Sequence, residues 1–326
     1  MKYPAGKPVP GDTLAGLSSQ LVRGDHRALA KAITVVEGGG EACRRLIHEI
    51  YPRTGKAFTI GVTGPTGTGK STLVDKMIEE YRRRDQRVGV LAIDPSSAFT
   101  GGALLGDRIR MMDHSLEEGV FIRSMASRGD TGGLARAARN TVRVLDAAGM
   151  DTIIIETVGA GQAEVEVASA VDAVVVVLMP QLGDEVQAFK AGFGEIGDVF
   201  VVNKADLVNP SKTMYNIASG LREKDGWRPP LLKTVALKGT GVPAVVDSLE
   251  KFRKHLDEKG LREKHAQGRI EEELIEAAFS DFYRETLDRL KTRKEWAEIV
   301  NQVVKRKLDP ETAASKLVKT ISKLGD

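Results

Sequence analysis

The sequence predicts an α/β fold, a mostly parallel sheet covered by helices, with a helical extension before it and a helical arm after it. Two observations carry this. Between residues 53 and 250, short β-rich apolar runs alternate with helical stretches, and from 251 to 326 no convincing strand follows. The strand candidates are 58–62, 88–93, 152–155, 173–178, 199–202 and 232–235. They are continuously apolar instead of alternating, as strands buried on both faces are. The helical segments between them supply the crossovers that parallel pairing requires.

The segment 1–52 reads as a helical pair packed on the neighbouring domain. Leu14, Leu17, Leu21, Leu29, Ile33 and Val36 keep roughly helical spacing, with Asp12 or Thr13 as N-cap. Gly38-Gly39-Gly40 breaks that helix, and a second runs over about 41–51 before Pro52 ends it. In the arm, Leu274, Ile275, Ala278, Phe282, Leu287 and Leu290 trace one apolar stripe. Trp296, Ile299, Val300, Val303 and Val304 trace another, and Asp309-Pro310 opens a last helix with a cap and a first-turn proline.

Composition narrows the function classes. With 41% hydrophobic and 29% charged residues the 326-residue chain is neither disordered nor fibrous. Its 48 basic and 45 acidic residues leave a net charge of only +3, and the arm from Asp247 onward holds 18 basic against 17 acidic residues. Nucleic-acid binding needs clustered Lys and Arg, so no nucleic-acid partner is expected. One cysteine, Cys43, excludes a disulfide framework and fits a reducing compartment. No apolar run reaches the length of a membrane span, and the first residues lack a signal-peptide core. A cytoplasmic protein without a membrane partner is the expectation.

The strongest motif is Gly64-Pro65-Thr66-Gly67-Thr68-Gly69-Lys70-Ser71, followed by Thr72. It fits G-x4-G-K-[ST] and sits after one strand candidate and before a helix, where the mechanism needs it. Glycines let the backbone turn several N–H groups toward phosphates, and the helix N-terminus adds a favourable partial charge. Lys70 would bridge the β- and γ-phosphates and the Ser71 hydroxyl would ligate magnesium. Glu156 ends a strand, and Gly159 follows three residues later, so the acid can hold magnesium through water and the glycine N–H can sense a γ-phosphate. Gln162 stands three residues beyond Gly159, so a water-orienting glutamine directly after the glycine is not evident. Asp94 ends another strand and Asp107 lies in a glycine-rich segment. Either acid could orient magnesium or the attacking water, and Arg108 or Arg110 could offset charge in the transition state.

Asn203-Lys204-Ala205-Asp206 makes the nucleotide site a guanine site. The Asp206 carboxylate can accept from guanine N1–H and the exocyclic amine, a pair adenine does not offer. An acceptor left unpaired costs about 1–3 kcal/mol. Lys204 would lie over the base and Asn203 would tie the loop together. The segment follows an apolar strand 133 residues after Lys70. Downstream, Ala236-Leu237-Lys238 could present the Ala236 N–H to the guanine carbonyl.

Together these motifs resemble the MeaB/ArgK family of GTPases. The resemblance includes Thr54-Gly-Lys, Asp94-Pro-Ser-Ser, the stretch from Phe99 to Met111, Arg128-Gly with Gly132-Gly-Leu-Ala135, the stretch from Glu156 to Glu164, Gly183-Asp-Glu-Val-Gln-Ala-Phe-Lys190 and Asn203-Lys-Ala-Asp206. It covers roughly residues 10 to 260, and the arm by architecture. The resemblance implies a P-loop NTPase of the SIMIBI type, with a GTPase domain over 53–250 and a dimerisation arm over 251–326. It implies Mg2+ held by Ser71, Asp94, Asp107 and Glu156, and catalysis by Lys70 with the same three acids. A mobile loop including Gln181, Gly183, Asp184 and Lys190 would answer to a partner. The implied role is a homodimeric chaperone of cobalamin-dependent methylmalonyl-CoA mutase, or of a related acyl-CoA mutase. It would couple GTP hydrolysis to GDP at a low intrinsic rate to cofactor loading or removal, and protect the mutase from inactivation.

Two other readings stand beside it. A GTP-dependent metallochaperone needs a surface Cys/His set, and no two of the five histidines share a metal-ligand spacing. A transport-associated kinase or NTPase with a different protein partner would need a substrate pocket or membrane anchor, of which the sequence gives no sign.

Overall fold

A computed structural model describes residues 11–94, 114, 117–126, 133–157, 169–180, 192–207, 209–292 and 294–322. Three helices come first: α1 (Gly11–Val22), α2 (His26–Gly38) and α3 (Gly40–Ile50). The α/β body follows with β1 (Phe58–Thr63), α4 (Lys70–Arg83), β2 (Val88–Asp94), β3 (Val120–Ala126), α5 (Gly133–Ala147), β4 (Thr152–Thr157), β5 (Ala173–Leu178) and β6 (Val199–Val202). Helix α6 (Ser211–Gly220), β7 (Leu231–Lys233) and α7 (Val242–Glu258) complete it. Helices α8 (Leu261–Lys291), α9 (Lys294–Val304) and α10 (Pro310–Ser322) end the chain. By packing, the chain divides into Met1–Arg262 and Glu263–Asp326.

The seven strands form one sheet in the order β3-β2-β4-β1-β5-β6-β7, every pair parallel. All residues of β1, β4, β5 and β6 are buried, as their continuously apolar runs require. Alternate side chains take opposite faces. Phe58, Ile60, Val62, Ile154, Val175 and Val201 join Leu73, Val74, Met77, Ile78 and Tyr81 of α4 and Val245, Val246 and Leu249 of α7 in one core. On the other face Ile155, Val174, Val176, Phe200 and Val202 pack with Ala138 of α5 and Ile217 of α6. Ile153 meets α5 and the three leading helices through Leu145, Leu21, Leu29, Ile33 and Leu46. Buried Asp146 fixes the entry to β1 by accepting from the N–H groups of Gly55, Lys56 and Ala57 at 2.5, 3.3 and 3.0 Å.

Four expectations need correction. The apolar run from Leu14 to Val36 is two helices, because Arg23-Gly24-Asp25 interrupts it. Gly24 has φ 81°, and Asp25 caps α2 by accepting from the Ala28 N–H at 2.8 Å. Asp12 and Thr13 lie inside α1, which starts at Gly11, so neither is its N-cap. A seventh strand, β3, lies at the edge of the sheet. Half-buried Arg123 and Ser124 break its apolar pattern, and Arg123 makes a two-pronged contact with Glu37 of α2, at 3.2 and 2.6 Å. The last strand ends at Lys233, and Val235 bridges Thr240 instead of extending it.

In the second unit the expected helices form. Asp309 caps α10 through the Thr312 N–H at 2.8 Å, and hydrogen bonds from the Thr312 side chain and N–H hold its carboxyl below the usual carboxylate value.

Asp198, just before β6, is partly buried and accepts from the Val174 N–H at 2.8 Å. Burial pushes its carboxyl from 3.8 up to about 7, against the pull of that hydrogen bond. The folded state therefore keeps a proton that the unfolded chain gives up. This contribution to stability is complete below pH 3.8 and is lost as pH rises through about 7. Asp198→Asn keeps an acceptor for Val174 without the charge. In denaturant titrations from acid to pH 8 it is expected to flatten the fall in stability and to raise the midpoint at pH 8.

Candidate nucleotide site

The Gly64–Ser71 motif, Glu156 and the Asn203–Asp206 segment lie at the carboxyl edge of the sheet, where parallel strands deliver their loops, while Thr54-Gly-Lys precedes β1 at the opposite edge. Gly64 to Gly69 connect β1 to α4, and Lys70, Ser71 and Thr72 form the first turn of α4. Gly64 must be glycine: at φ 135° a Cβ would stand 2.1 Å from the Val177 carbonyl oxygen of β5. The loop closes on itself through Thr68, whose hydroxyl donates to Pro65 O at 2.9 Å. Lys70 is buried, and its Nζ donates to Gly64 O at 2.6 Å and Pro65 O at 3.1 Å. The cation thus curls along the loop that its own helix follows.

Glu156 is the fifth residue of β4 and lies beside Val62 of β1. It is 1% exposed, and the Ser71 hydroxyl donates to its Oε1 at 2.5 Å. The structure therefore brings together two of the four residues expected to hold magnesium. Both offer oxygen, the donor a hard cation takes, so the pair fits the ion. Asp94 is the last residue of β2, two strands from β1, and its side chain lies outside the described residues. Asp107, Gly159, Gln181, Gly183, Asp184 and Lys190 also lie outside them.

The segment after β6 folds over the loop. Asn203 is 2% exposed; its Nδ2 donates to Thr68 O at 2.9 Å, while its Oδ1 accepts from Thr234 Oγ1 at 2.9 Å and the Ala236 N–H at 3.0 Å. Gly69, at φ 90°, admits this amide, since a Cβ there would meet Asn203 Nδ2 at 2.5 Å. Lys204 reaches across to Gly67 O at 2.7 Å from a left-handed backbone, φ 57°. Asp206 is exposed and receives Lys238 Nζ at 3.3 Å. Leu237 and Lys238, in the 3-10 turn after β7, are exposed as well.

One expected contact is different. The Ala236 N–H, assigned to a guanine carbonyl, donates to Asn203 instead, because the buried amide oxygen gathers both nearby donors. Thr234 was not singled out from sequence, yet it supplies the second of these. A threonine at the end of a short strand, two residues before Ala236, was the available signal.

A glycine-rich strand–loop–helix at the centre of a parallel sheet, with an Asn-Lys-x-Asp segment bonded over it, defines a P-loop GTPase. The family profile described as Methylmalonyl Co-A mutase-associated GTPase MeaB matches residues 29–291. The chain belongs to this MeaB family. A putative GTPase of Pyrococcus abyssi is 46% identical over 311 residues, 94% of this chain and 96% of that protein. The mitochondrial methylmalonic aciduria type A homolog of Mus musculus is 35% identical over 258 residues, 73% of this chain and 62% of that protein. The crystal structure of a LAO/AO transport system kinase superposes with a TM-score of 0.69 and 27% identity, over 97% of this chain and 100% of that one.

Asn203→Ala removes one amide and leaves Thr68 O, the Thr234 hydroxyl and the Ala236 N–H to find other partners. Each unsatisfied buried group costs about 1–3 kcal/mol. A loss of about 2–4 kcal/mol in urea unfolding without nucleotide is expected, and an unchanged midpoint would remove Asn203 from its structural role.

Proposed function

We propose that this chain is a magnesium-dependent GTP hydrolase that serves as a chaperone of cobalamin-dependent methylmalonyl-CoA mutase or a related acyl-CoA mutase. It gates loading or removal of the mutase cofactor and protects the mutase from inactivation. The family match over residues 29–291, whose description names a mutase-associated GTPase, carries this reading. The name of the mouse relative points the same way.

The roles follow from the chemistry of each group. The loop N–H groups and Lys70 neutralise the β- and γ-phosphates; Lys70 Nζ need only exchange its carbonyl partners for phosphate oxygens. Ser71 and Glu156, with Asp94 and Asp107, would hold magnesium. When bound, the ion offsets charge on the phosphate oxygens. Glu156, with Asp94 and Asp107, would also arrange the attacking water. Water adds to the γ-phosphorus, the bond to the β–γ bridging oxygen breaks, and GDP and phosphate leave. Asp206 selects guanine by accepting two hydrogen bonds, and Lys204 lies over the base. Gly159 would sense the γ-phosphate through its N–H, and Gln181, Gly183, Asp184 and Lys190 would answer to the partner.

The arm, 251–326, gives the homodimer its interface. In α8, Leu274, Ile275, Phe279, Phe282 and Tyr283 are 64, 64, 73, 66 and 65% exposed. Aromatic and branched apolar groups clustered along one helix are an expensive surface to leave in water, at about 25 cal/mol per Å2. Among the described residues no helix is long and apolar enough to cross a membrane. The chaperone acts in the cytoplasm, with no nucleic-acid or membrane partner.

GTP turnover by the purified protein, alone and with the mutase, tests the function. Slow hydrolysis of GTP but not ATP is expected, accelerated about ten-fold or more by the mutase, or about 1.4 kcal/mol of barrier. Neither stimulation nor a complex would sink the chaperone role and leave the GTPase standing. For the arm, Phe279→Glu with Phe282→Glu is expected to yield a monomer in sedimentation; a dimer that persists would place the interface elsewhere.

A further inference from the structure

Outside the nucleotide site, four polar side chains converge between α4 and the start of β3. Asp75 and Glu79 stand one turn apart on α4 and share a face of that helix. His114 and Glu117 lie just ahead of β3. The donor atoms of Asp75, Glu79 and His114 all lie within 4.8 Å of one another. The His114 side chain is only 10% exposed. Its Nδ1 lies 3.1 Å from Glu117 Oε2, and Glu117 Oε1 accepts from Arg82 Nε at 2.8 Å.

That chain orients the imidazole. Glu117, held by Arg82, accepts the Nδ1 proton, which leaves the lone pair on Nε2. Nε2 faces Asp75 Oδ1 at 3.5 Å, longer than a good hydrogen bond. The second Asp75 oxygen faces Lys76 Nζ at 3.5 Å, and Lys76 also pairs with Glu79. Three carboxylates, Asp75, Glu79 and Glu117, are thus opposed by Lys76 and Arg82, leaving one surplus negative charge with His114 neutral. A buried histidine nitrogen turned toward two carboxylates, with its other nitrogen on a third, is the donor arrangement of a divalent first-row transition ion.

We propose that Asp75, Glu79 and His114 form a binding site for a divalent transition-metal ion of the zinc class, with Glu117 orienting the histidine from behind. Ligand atoms about 2.1 Å from a tetrahedral ion stand roughly 3.4 Å apart. The contraction from 4.8 Å falls to Glu79, the most exposed of the three, while Lys76 swings outward to solvent. Bound there, the ion pins the helix that begins at Lys70 to the segment entering β3, and Asp107 lies seven residues before His114 (114 − 107). Asp75 stands one turn beyond Ser71 on α4, so the site adjoins the Ser71–Glu156 pair but uses none of its ligands.

The test is a titration of the chelator-stripped full chain with Co2+, followed by visible absorption. It uses a Glu156→Gln background, so that the carboxylate beside Ser71 does not contribute. One equivalent is expected to bind with the d–d bands of a four- or five-coordinate ion. His114→Gln and Asp75→Asn should each weaken it at least ten-fold, and Glu117→Gln by 10- to 100-fold. Lys76→Met keeps every ligand and removes the competing ammonium, so it should bind several-fold more tightly. Absence of binding in both the parent and Lys76→Met would overturn the proposal. So would an unchanged Co2+ affinity and spectrum in a folded His114→Gln variant.

Discussion

The ligand-side edge of this protein hangs on one buried carboxamide. Asn203 donates to the loop that follows β1 and accepts from two groups that follow β7, so three segments far apart in sequence meet at one side chain. At 2% exposure it has no water to fall back on, and the low local dielectric makes each of its three bonds costly to lose. The left-handed Lys204 beside it, reaching to Gly67 O, fastens the same loop from outside. The loop after β1 is therefore shaped by the segment after β6.

The parallel sheet makes that meeting possible. With every strand running the same way, the loops after β1, β4, β6 and β7 emerge at one edge, and central β1 places its loop between its neighbours. Close packing sets the tolerance. Gly64 approaches β5 and Gly69 approaches Asn203 more closely than any residue with a Cβ could. Their role is thus as much to admit neighbouring backbone and side chain as to expose N–H groups.

The remaining elements brace this frame. Asp146 gathers three N–H groups at the entry to β1, opposite the site. Arg123 and Glu37 join the edge strand to the leading helices, which makes those helices part of the α/β core instead of an appendage. Arg82 ties the end of α4 to Glu117, and through it to His114. The P-loop helix is thereby connected at its far end to the strand that follows the Asp94–Asp107 region.

What the sequence determined by itself is what short stretches encode. Five of the seven strands, β1, β2, β4, β5 and β6, announce themselves through continuous apolar runs, because burial on both faces leaves no polar alternation to blur them. The G-x4-G-K-S loop and the Asn-Lys-x-Asp segment are legible for the same reason, each being one contiguous run whose chemistry depends on spacing along the chain. Tertiary structure decided what depends on neighbours. Strand β3 was hidden because an edge strand is half-covered, and Arg123 within it makes sense only once Glu37 lies opposite. The break at Gly24-Asp25 was masked by apolar spacing that continues across it. The Ala236 N–H turned to Asn203, and Asp75, Glu79 and His114 came together, through contacts between segments that no local pattern records. Periodicity reports which face of an element is buried; it does not report which donor reaches a shared acceptor first, because that is fixed by the packing of the whole sheet.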